Sequence, residues 1–137
     1  MTVSDRGVTI LAIDDDAGVL ADLAQALGAA GYSYHLCADH EAARALTVRL
    51  TPDLIISDIN IGNHSGLELC EELKRQAGLA DVPVMFLSGA QIPDIIRRAH
   101  AAGGTYYLRK PFDPHVLLEL VEKALWMPHV VASHMHR

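Results

Sequence analysis

The segment 54–66, LIISDINIGNHSG, places a carboxylate directly after a run of apolar residues. Its first three residues are typical of a buried strand, and Asp58 follows where that strand leaves the core. Gly62 and Gly66 free the backbone behind it, which predicts a flexible loop. A charged residue at the end of a buried strand either starts the next turn or takes part in chemistry.

Three other apolar runs also end in reactive or charged side chains. The segment 14–16, Asp-Asp-Asp, ends the first run, Ser88 ends the fourth and Lys110 ends the fifth. Neighbouring carboxylates repel one another, and Mg²⁺ relieves this because it prefers a few carboxylate oxygens plus waters. One of the carboxylates would then attack phosphorus, giving an aspartyl-phosphate. The lysine and the serine would hold oxygens of the transferred group.

Each of these residues taken alone has a common structural explanation. The aspartate run 14–16 is typical of a helix cap, and Asp58 is typical of a turn. Ser88 alone is an ordinary loop serine, and Lys110 alone is a solvated surface lysine. The chemical hypothesis therefore depends on all of them meeting at one place.

The order of the predicted elements brings these residues to one edge. Strands are predicted at 7–14, 32–38, 53–58, 82–88 and 105–110. A helix follows each strand: one after Asp16 that ends before Gly31, and others at 39–50, 66–77, 92–102 and 113–126. This alternation predicts an α/β fold, a doubly wound parallel sheet with helices on both faces. Ligands of such sheets bind beyond the carboxyl ends of the strands.

Length and composition point to one domain at residues 1–127, with a loose tail at 128–137. The chain has 137 residues and a net charge of -6, which argues against direct nucleic-acid binding. No apolar run is long enough to span a membrane, and the first residues do not resemble a signal peptide, so a cytoplasmic location is expected. The histidines of the tail are expected to be exposed rather than to bind a metal.

The two cysteines, Cys37 and Cys70, lack the spacing of a metal site. In a cytoplasmic chain, two such thiols are expected to be buried and reduced rather than joined in a disulfide.

Four motifs together resemble the receiver domain of two-component response regulators, the family typified by the single-domain chemotaxis regulator. They are an acidic pair after the first strand, Ser-Asp at 57–58, the serine at 88 and Lys-Pro-Phe at 110–112. The resemblance covers residues 8–126. It implies a flavodoxin-like (βα)₅ fold with a five-stranded parallel sheet in the strand order 2-1-3-4-5.

The resemblance assigns a role to each residue at the edge. It implies that Asp58 accepts a phosphoryl group and that Mg²⁺ is bound by Asp14, Asp15, Asp58 and the backbone carbonyl of Asn60. It makes Lys110 the family's conserved lysine, with a cis peptide bond before the proline that follows.

The resemblance further implies a switch driven by a sensor histidine kinase. After phosphorylation, Ser88 would move toward the new oxygens and Tyr107 would turn into the space left behind. The changed surface would then dock a downstream protein. Such a protein is a signalling phosphoacceptor with self-catalysed phosphorylation and dephosphorylation, not an enzyme acting on other substrates.

The chain departs from the common family pattern behind the acceptor. Many receivers carry Met-Pro where this chain has Ile61 and Gly62, so the loop is expected to be more mobile. Ser88 replaces the commoner threonine, and Gly89 follows where alanine is frequent. These differences are expected to tune kinetics and partner choice.

Two other protein classes share parts of the pattern. Haloacid-dehalogenase-type phosphatases need a second aspartate two residues after the nucleophile, where this chain has Asn60. A nucleotide- or flavin-binding domain would need a glycine-rich loop after the first strand, where this chain has three carboxylates.

Within the receiver hypothesis, several roles stay open. The protein is expected to be a stand-alone regulator. The alternatives are a phosphorelay intermediate or phosphate sink, a receiver cut from a longer regulator, and a non-phosphorylated adaptor or dimerisation module. A homodimer through the last helix and strand, with Trp126 and Tyr106 at its surface, is a further expectation.

Overall fold

The structure is a computed structural model and describes residues 7–76, 78–89, 97–99, 101 and 104–135. The strands are β1 (Thr9–Ile13), β2 (Ser33–Cys37), β3 (Leu54–Asp58), β4 (Asn60–Ile61), β5 (His64–Ser65), β6 (Val84–Ser88) and β7 (Gly104–Arg109). The labelled helices are α1 (Ala17–Ala29), α2 (His40–Arg49), α3 (Gly66–Lys74) and α4 (Pro114–Met135).

The main sheet has five strands in the order β2-β1-β3-β6-β7. Every neighbouring pair in it is parallel. Counted along the chain, these strands follow the order 2-1-3-4-5 that the resemblance implied. The fold prediction is therefore confirmed.

Each face of the sheet is covered by its own layer of helices. Successive strand residues point to opposite faces, so β1 sends Leu11 and Ile13 to one core cluster and Ile10 and Ala12 to the other. The first cluster includes buried residues of α2 and α3. The second includes buried residues of α1 and α4. This double coverage explains why the inner strands β3 and β6 are buried along their whole length and are apolar up to their carboxyl ends.

Short polar side chains begin the first three helices. Asp16 caps α1 by accepting hydrogen bonds from two backbone amides at 2.8 and 3.3 Å, and Gly31, with φ +87°, follows its end. Asp39 caps α2 through one amide at 2.8 Å. These positions agree with the sequence prediction. Ser65, which the sequence analysis did not identify, caps α3 in the same way.

The segment after Asp58 is a small hairpin rather than the predicted loop without regular structure. Strands β4 and β5 pair antiparallel, with Asn60 opposite Ser65 and Ile61 opposite His64. Ile61 is buried in the core, which holds the hairpin against the domain. The pattern was missed because each strand is only two residues long, too short for a periodicity to show.

The last helix is longer than predicted. It does not end at Trp126 but continues through Pro128 to Met135, so the expected loose conformation of the tail is wrong for residues 128–135. Proline keeps a helical φ, but inside a helix it loses a backbone hydrogen bond and its ring crowds the carbonyl four residues earlier, at a cost of about 3 kcal/mol. Proline therefore disfavours a helix without forbidding it. The domain boundary at residue 127 stays a prediction. No helix in the described ranges is long and apolar enough to cross a membrane.

The predicted helix at 92–102 lies mostly outside the described residues. Its described part, residues 97–99 and 101, is helical. Ala99 is buried in the same core cluster as the apolar residues of α2 and α3.

The two cysteines are free and buried, as predicted. Burial raises the pKa of the Cys37 thiol, with nearby Asp39 adding to the shift, and raises the pKa of Cys70 to about 12. Because the thiolate is the reactive form, we expect neither thiol to be alkylated by iodoacetamide in the folded protein at about pH 8. Intact-mass analysis should show two adducts only after unfolding. Rapid labelling of the native protein would contradict this prediction.

Candidate functional site

The carboxyl ends of three strands of the main sheet bring the predicted chemical residues together. Asp14 and Asp15 follow β1, Asp58 ends β3 and Lys110 follows β7. Carboxylate oxygens of the three aspartates lie within 4.8 Å of one another. These side chains therefore lie together at the carboxyl edge of the sheet, as the sequence predicted.

Lys110 bridges two of the three carboxylates. Its Nζ lies 2.8 Å from Asp14 Oδ2 and 3.1 Å from Asp58 Oδ2. Its backbone amide donates to the carbonyl of Ser88 at 2.8 Å, which ties the end of β7 to the end of β6. The Lys110–Pro111 peptide bond is cis, as the resemblance implied. The ammonium thus offsets part of the repulsion between the carboxylates.

Asp14 is held on both of its oxygens. Oδ2 pairs with Lys110, and Oδ1 accepts a hydrogen bond from the amide of Asp16 at 2.9 Å. The side chain is fully buried. A buried carboxylate needs such partners, because removal from water without them is costly.

Asp58 is also held on both oxygens, and its surroundings have opposing effects on its pKa. Oδ2 pairs with Lys110, and Oδ1 accepts a hydrogen bond from the amide of Asn60 at 3.2 Å. Burial raises the pKa of Asp58 and Asp14 adds to this, while the bonds from Lys110 and Asn60 oppose the shift without cancelling it. The Asp58 carboxyl group is therefore a stronger base than a solvated aspartate.

For Lys110, the neighbouring carboxylates affect the pKa more than burial does. Burial alone would lower the pKa of its ammonium, but the hydrogen bonds and charges of Asp14 and Asp58 outweigh burial and raise it. Lys110 is thus positively charged at neutral pH, where it can attract further negative charge.

Gly66 lets the start of α3 lie against the backbone of Asp58. A Cβ at this position would overlap the Asp58 carbonyl oxygen, and it would lie 3.1 Å from the carbonyl oxygen of Ile59. The Gly66 amide donates to that Ile59 oxygen at 2.6 Å. The sequence pattern predicted loop freedom at this glycine but not the close approach; its place at the first position of the predicted helix 66–77 was the available signal.

The other predicted residues occupy the surroundings of this cluster. Ser88 is buried at the end of β6, next to Leu87, which pairs with Asp58 in the sheet. Tyr107 is half-buried in β7 and packs against the core cluster that faces α2 and α3. Asn60 is exposed in β4. Their roles in switching and metal binding stay predictions.

The N-terminus of α1 is arranged against direct phosphate binding. Two of its amides already donate to the Asp16 carboxylate. A nucleotide-binding domain would offer such amides to a phosphate. The structure therefore removes the support for the nucleotide- or flavin-binding alternative.

Comparison with known proteins agrees with this geometry. Residues 10–122 match the family model described as response regulator receiver domain. The chain is 37% identical over 117 residues to the DNA-binding dual master transcriptional regulator RpaA of Synechocystis, covering 85% of this chain and 48% of that protein. It is 34% identical over 119 residues to the phosphate regulon transcriptional regulatory protein PhoB of Pseudomonas aeruginosa, covering 87% and 52%.

The fold also matches solved structures. The chemotaxis protein CheY4 of Vibrio cholerae superposes with a TM-score of 0.83 at 30% identity, covering 86% of this chain and 98% of that one. The chain spans about half the length of RpaA and PhoB, so the match covers only part of each. The sheet order, the acidic cluster with its lysine and the family match lead to one conclusion: the chain belongs to the response regulator receiver domain family.

Proposed function

We propose that Asp58 accepts a phosphoryl group from a sensor histidine kinase and that the protein signals through a changed docking surface. The observation that supports this best is the position of Asp58, beside Asp14 and Asp15 and 3.1 Å from the Lys110 ammonium. A nucleophilic carboxylate near phosphate needs positive charge around it, and these residues supply or recruit that charge.

The transfer itself is a displacement at phosphorus. An oxygen of Asp58 forms the new O–P bond while the P–N bond to the kinase histidine breaks, and the imidazole nitrogen keeps the electron pair. Lys110 contacts the same carboxylate, so its ammonium lies where the charge of the transferred group would develop. Ser88, next to the strand partner of Asp58, would then hydrogen-bond an oxygen of that group.

The acidic cluster fits a Mg²⁺ ion. Asp14, Asp15, Asp58 and the carbonyl of Asn60 would hold it, and all four donate the oxygen ligands that Mg²⁺ prefers. Lys110 pairs with two of the three carboxylates, Asp14 and Asp58, so the cluster has excess negative charge. When bound, Mg²⁺ would supply positive charge beside the attacked phosphorus.

The proposed output is a change of surface around β7. Movement of Ser88 toward the phosphorylated aspartate would free space for Tyr107, which is half-buried in that strand. A cytoplasmic regulator that acts by docking to a partner is the role we propose, with relay intermediate, phosphate sink or unphosphorylated adaptor as alternatives. Two exposed apolar side chains of α4, Val116 and Trp126, support a dimer surface there.

The proposal is tested by the gain of one phosphoryl group. We expect intact-mass analysis after incubation with acetyl phosphate and Mg²⁺ to show this adduct in the wild type and in Asp81→Asn. Asp81 is exposed and precedes the amino end of β6, at the far end of that strand from Ser88. The adduct should be absent in Asp58→Asn and in wild type with EDTA.

Two results would count against the proposal. One is a phosphoryl adduct that persists in Asp58→Asn, which would place the acceptor elsewhere. The other is a folded wild-type protein that gains no phosphoryl group from acetyl phosphate or from a purified sensor histidine kinase.

A further inference from the structure

The turn of the β4–β5 hairpin contacts the metal-site carboxylate that is not bonded to the lysine. The amide of Gly62 donates to Asp15 Oδ2 at 3.0 Å, joining residues 47 positions apart. Asp14 and Asp58 are held by Lys110 and by amides close to them in sequence. Asp15 is exposed, and this bond ties it to the segment behind the acceptor.

The identity of Gly62 makes this bond available. Its φ is +61°, a conformation that side-chain-bearing residues rarely adopt and that proline cannot adopt. Proline also has no amide hydrogen to donate. Many receivers have a proline at the position of Gly62, and a proline could not donate this hydrogen bond to Asp15. The bond therefore depends on Gly62, a residue that differs from the common family pattern.

The hairpin holds the Gly62 amide in a defined place. Ile61, its neighbour, is only 2% exposed. The ring of His64 lies 3.8 Å from the ring of His40 at the start of α2, measured between centroids. A donor on a segment anchored on both sides loses little further freedom when it binds a carboxylate.

We propose that Gly62 is a positioning residue for Asp15 in Mg²⁺ binding. This inference rests on the proposed function. A carboxylate has about four lone-pair sites, so one hydrogen bond leaves room to ligate a metal. The bond fixes the orientation of Asp15 and offsets part of its charge before the cation arrives. Hydrogen-bond partners of metal ligands commonly change metal affinity by 10–100-fold, roughly.

The test compares two substitutions of the same residue by calorimetric titration with MgCl₂. Gly62→Pro removes the amide hydrogen and should weaken Mg²⁺ binding about tenfold or more. Gly62→Asn keeps the amide, and asparagine tolerates a positive φ, so it should retain affinity within about threefold of the wild type. Urea unfolding of each variant checks that the fold is intact.

Asp15→Ala separates an effect on Asp15 from general damage to the hairpin. If Gly62 acts through Asp15, Gly62→Pro should cause no further loss of Mg²⁺ affinity in the Asp15→Ala background. An equal loss in both backgrounds, or no loss in either, would overturn the inference. A wild-type protein that binds no Mg²⁺ would overturn the proposed function as well.

Hydrogen exchange gives a second result that does not depend on the proline variant. The Gly62 amide should exchange slowly in the metal-free wild type and clearly faster in Asp15→Ala. Equal exchange rates in the two proteins would show that the bond does not hold the turn, and would overturn the inference even if Gly62→Pro failed to fold.

Discussion

Gly66→Ala is expected to lower the free energy of unfolding by about 3 kcal/mol or more. The added methyl group would overlap the backbone oxygen of Asp58, and a backbone atom, unlike the end of a side chain, moves only with its strand. Either the start of α3 or the end of β3 must shift. Because that strand end carries the proposed acceptor, Mg²⁺ affinity should fall together with stability.

Gly28→Ala is the matched control, since Gly28 is also a helical glycine. A Cβ there would lie 3.5 Å from the Tyr34 ring, an ordinary contact. Alanine should therefore stabilise the protein by about 0.5–1 kcal/mol through its better helix propensity. Urea unfolding of both variants should give effects of opposite sign. A Gly66→Ala protein as stable as the wild type would show that the close approach is not a constraint.

Lys110→Met is expected to lower the free energy of unfolding by about 2 kcal/mol at neutral pH. The substitution keeps the length and apolar stem of the side chain but leaves Asp14 and Asp58 without their shared cation. Added MgCl₂ should stabilise this variant more than the wild type, because a bound cation would replace the missing charge. Thermal unfolding with EDTA and with MgCl₂ measures the difference.

The stability loss of Lys110→Met should depend on pH with a defined sign. Burial raises the pKa of Asp58, and Lys110 opposes that rise, so removing the lysine should raise the pKa further. A carboxyl group with a raised folded-state pKa favours the folded state when it is protonated. The deficit relative to the wild type should therefore shrink as the pH falls below neutral toward the raised pKa.

Lys123→Met is the control for this prediction. Lys123 is exposed on α4, and its removal should change stability by less than about 0.5 kcal/mol at any of these pH values. A stability deficit of Lys110→Met that stays constant with pH, or equals that of Lys123→Met, would contradict the charge-neutralising role.

The sequence by itself determined the fold and which residues meet at the carboxyl edge of the sheet. Apolar runs alternating with amphipathic helical segments are local patterns, and they allow essentially one solution, a parallel sheet covered on both faces. That solution places every carboxyl strand end on one edge. Asp14, Asp58 and Lys110 could thus be grouped from their positions alone, although they are far apart in the chain.

Tertiary structure alone decided how those residues contact one another and what supports them. The pairing of Lys110 with Asp14 and Asp58, the bond from Gly62 to Asp15 and the overlap that restricts Gly66 all depend on distances between separate elements. Those distances follow from how the helices and the hairpin pack on the sheet. A residue pattern along the chain does not encode them, since the same pattern is compatible with shifts of an ångström or more that would break each contact.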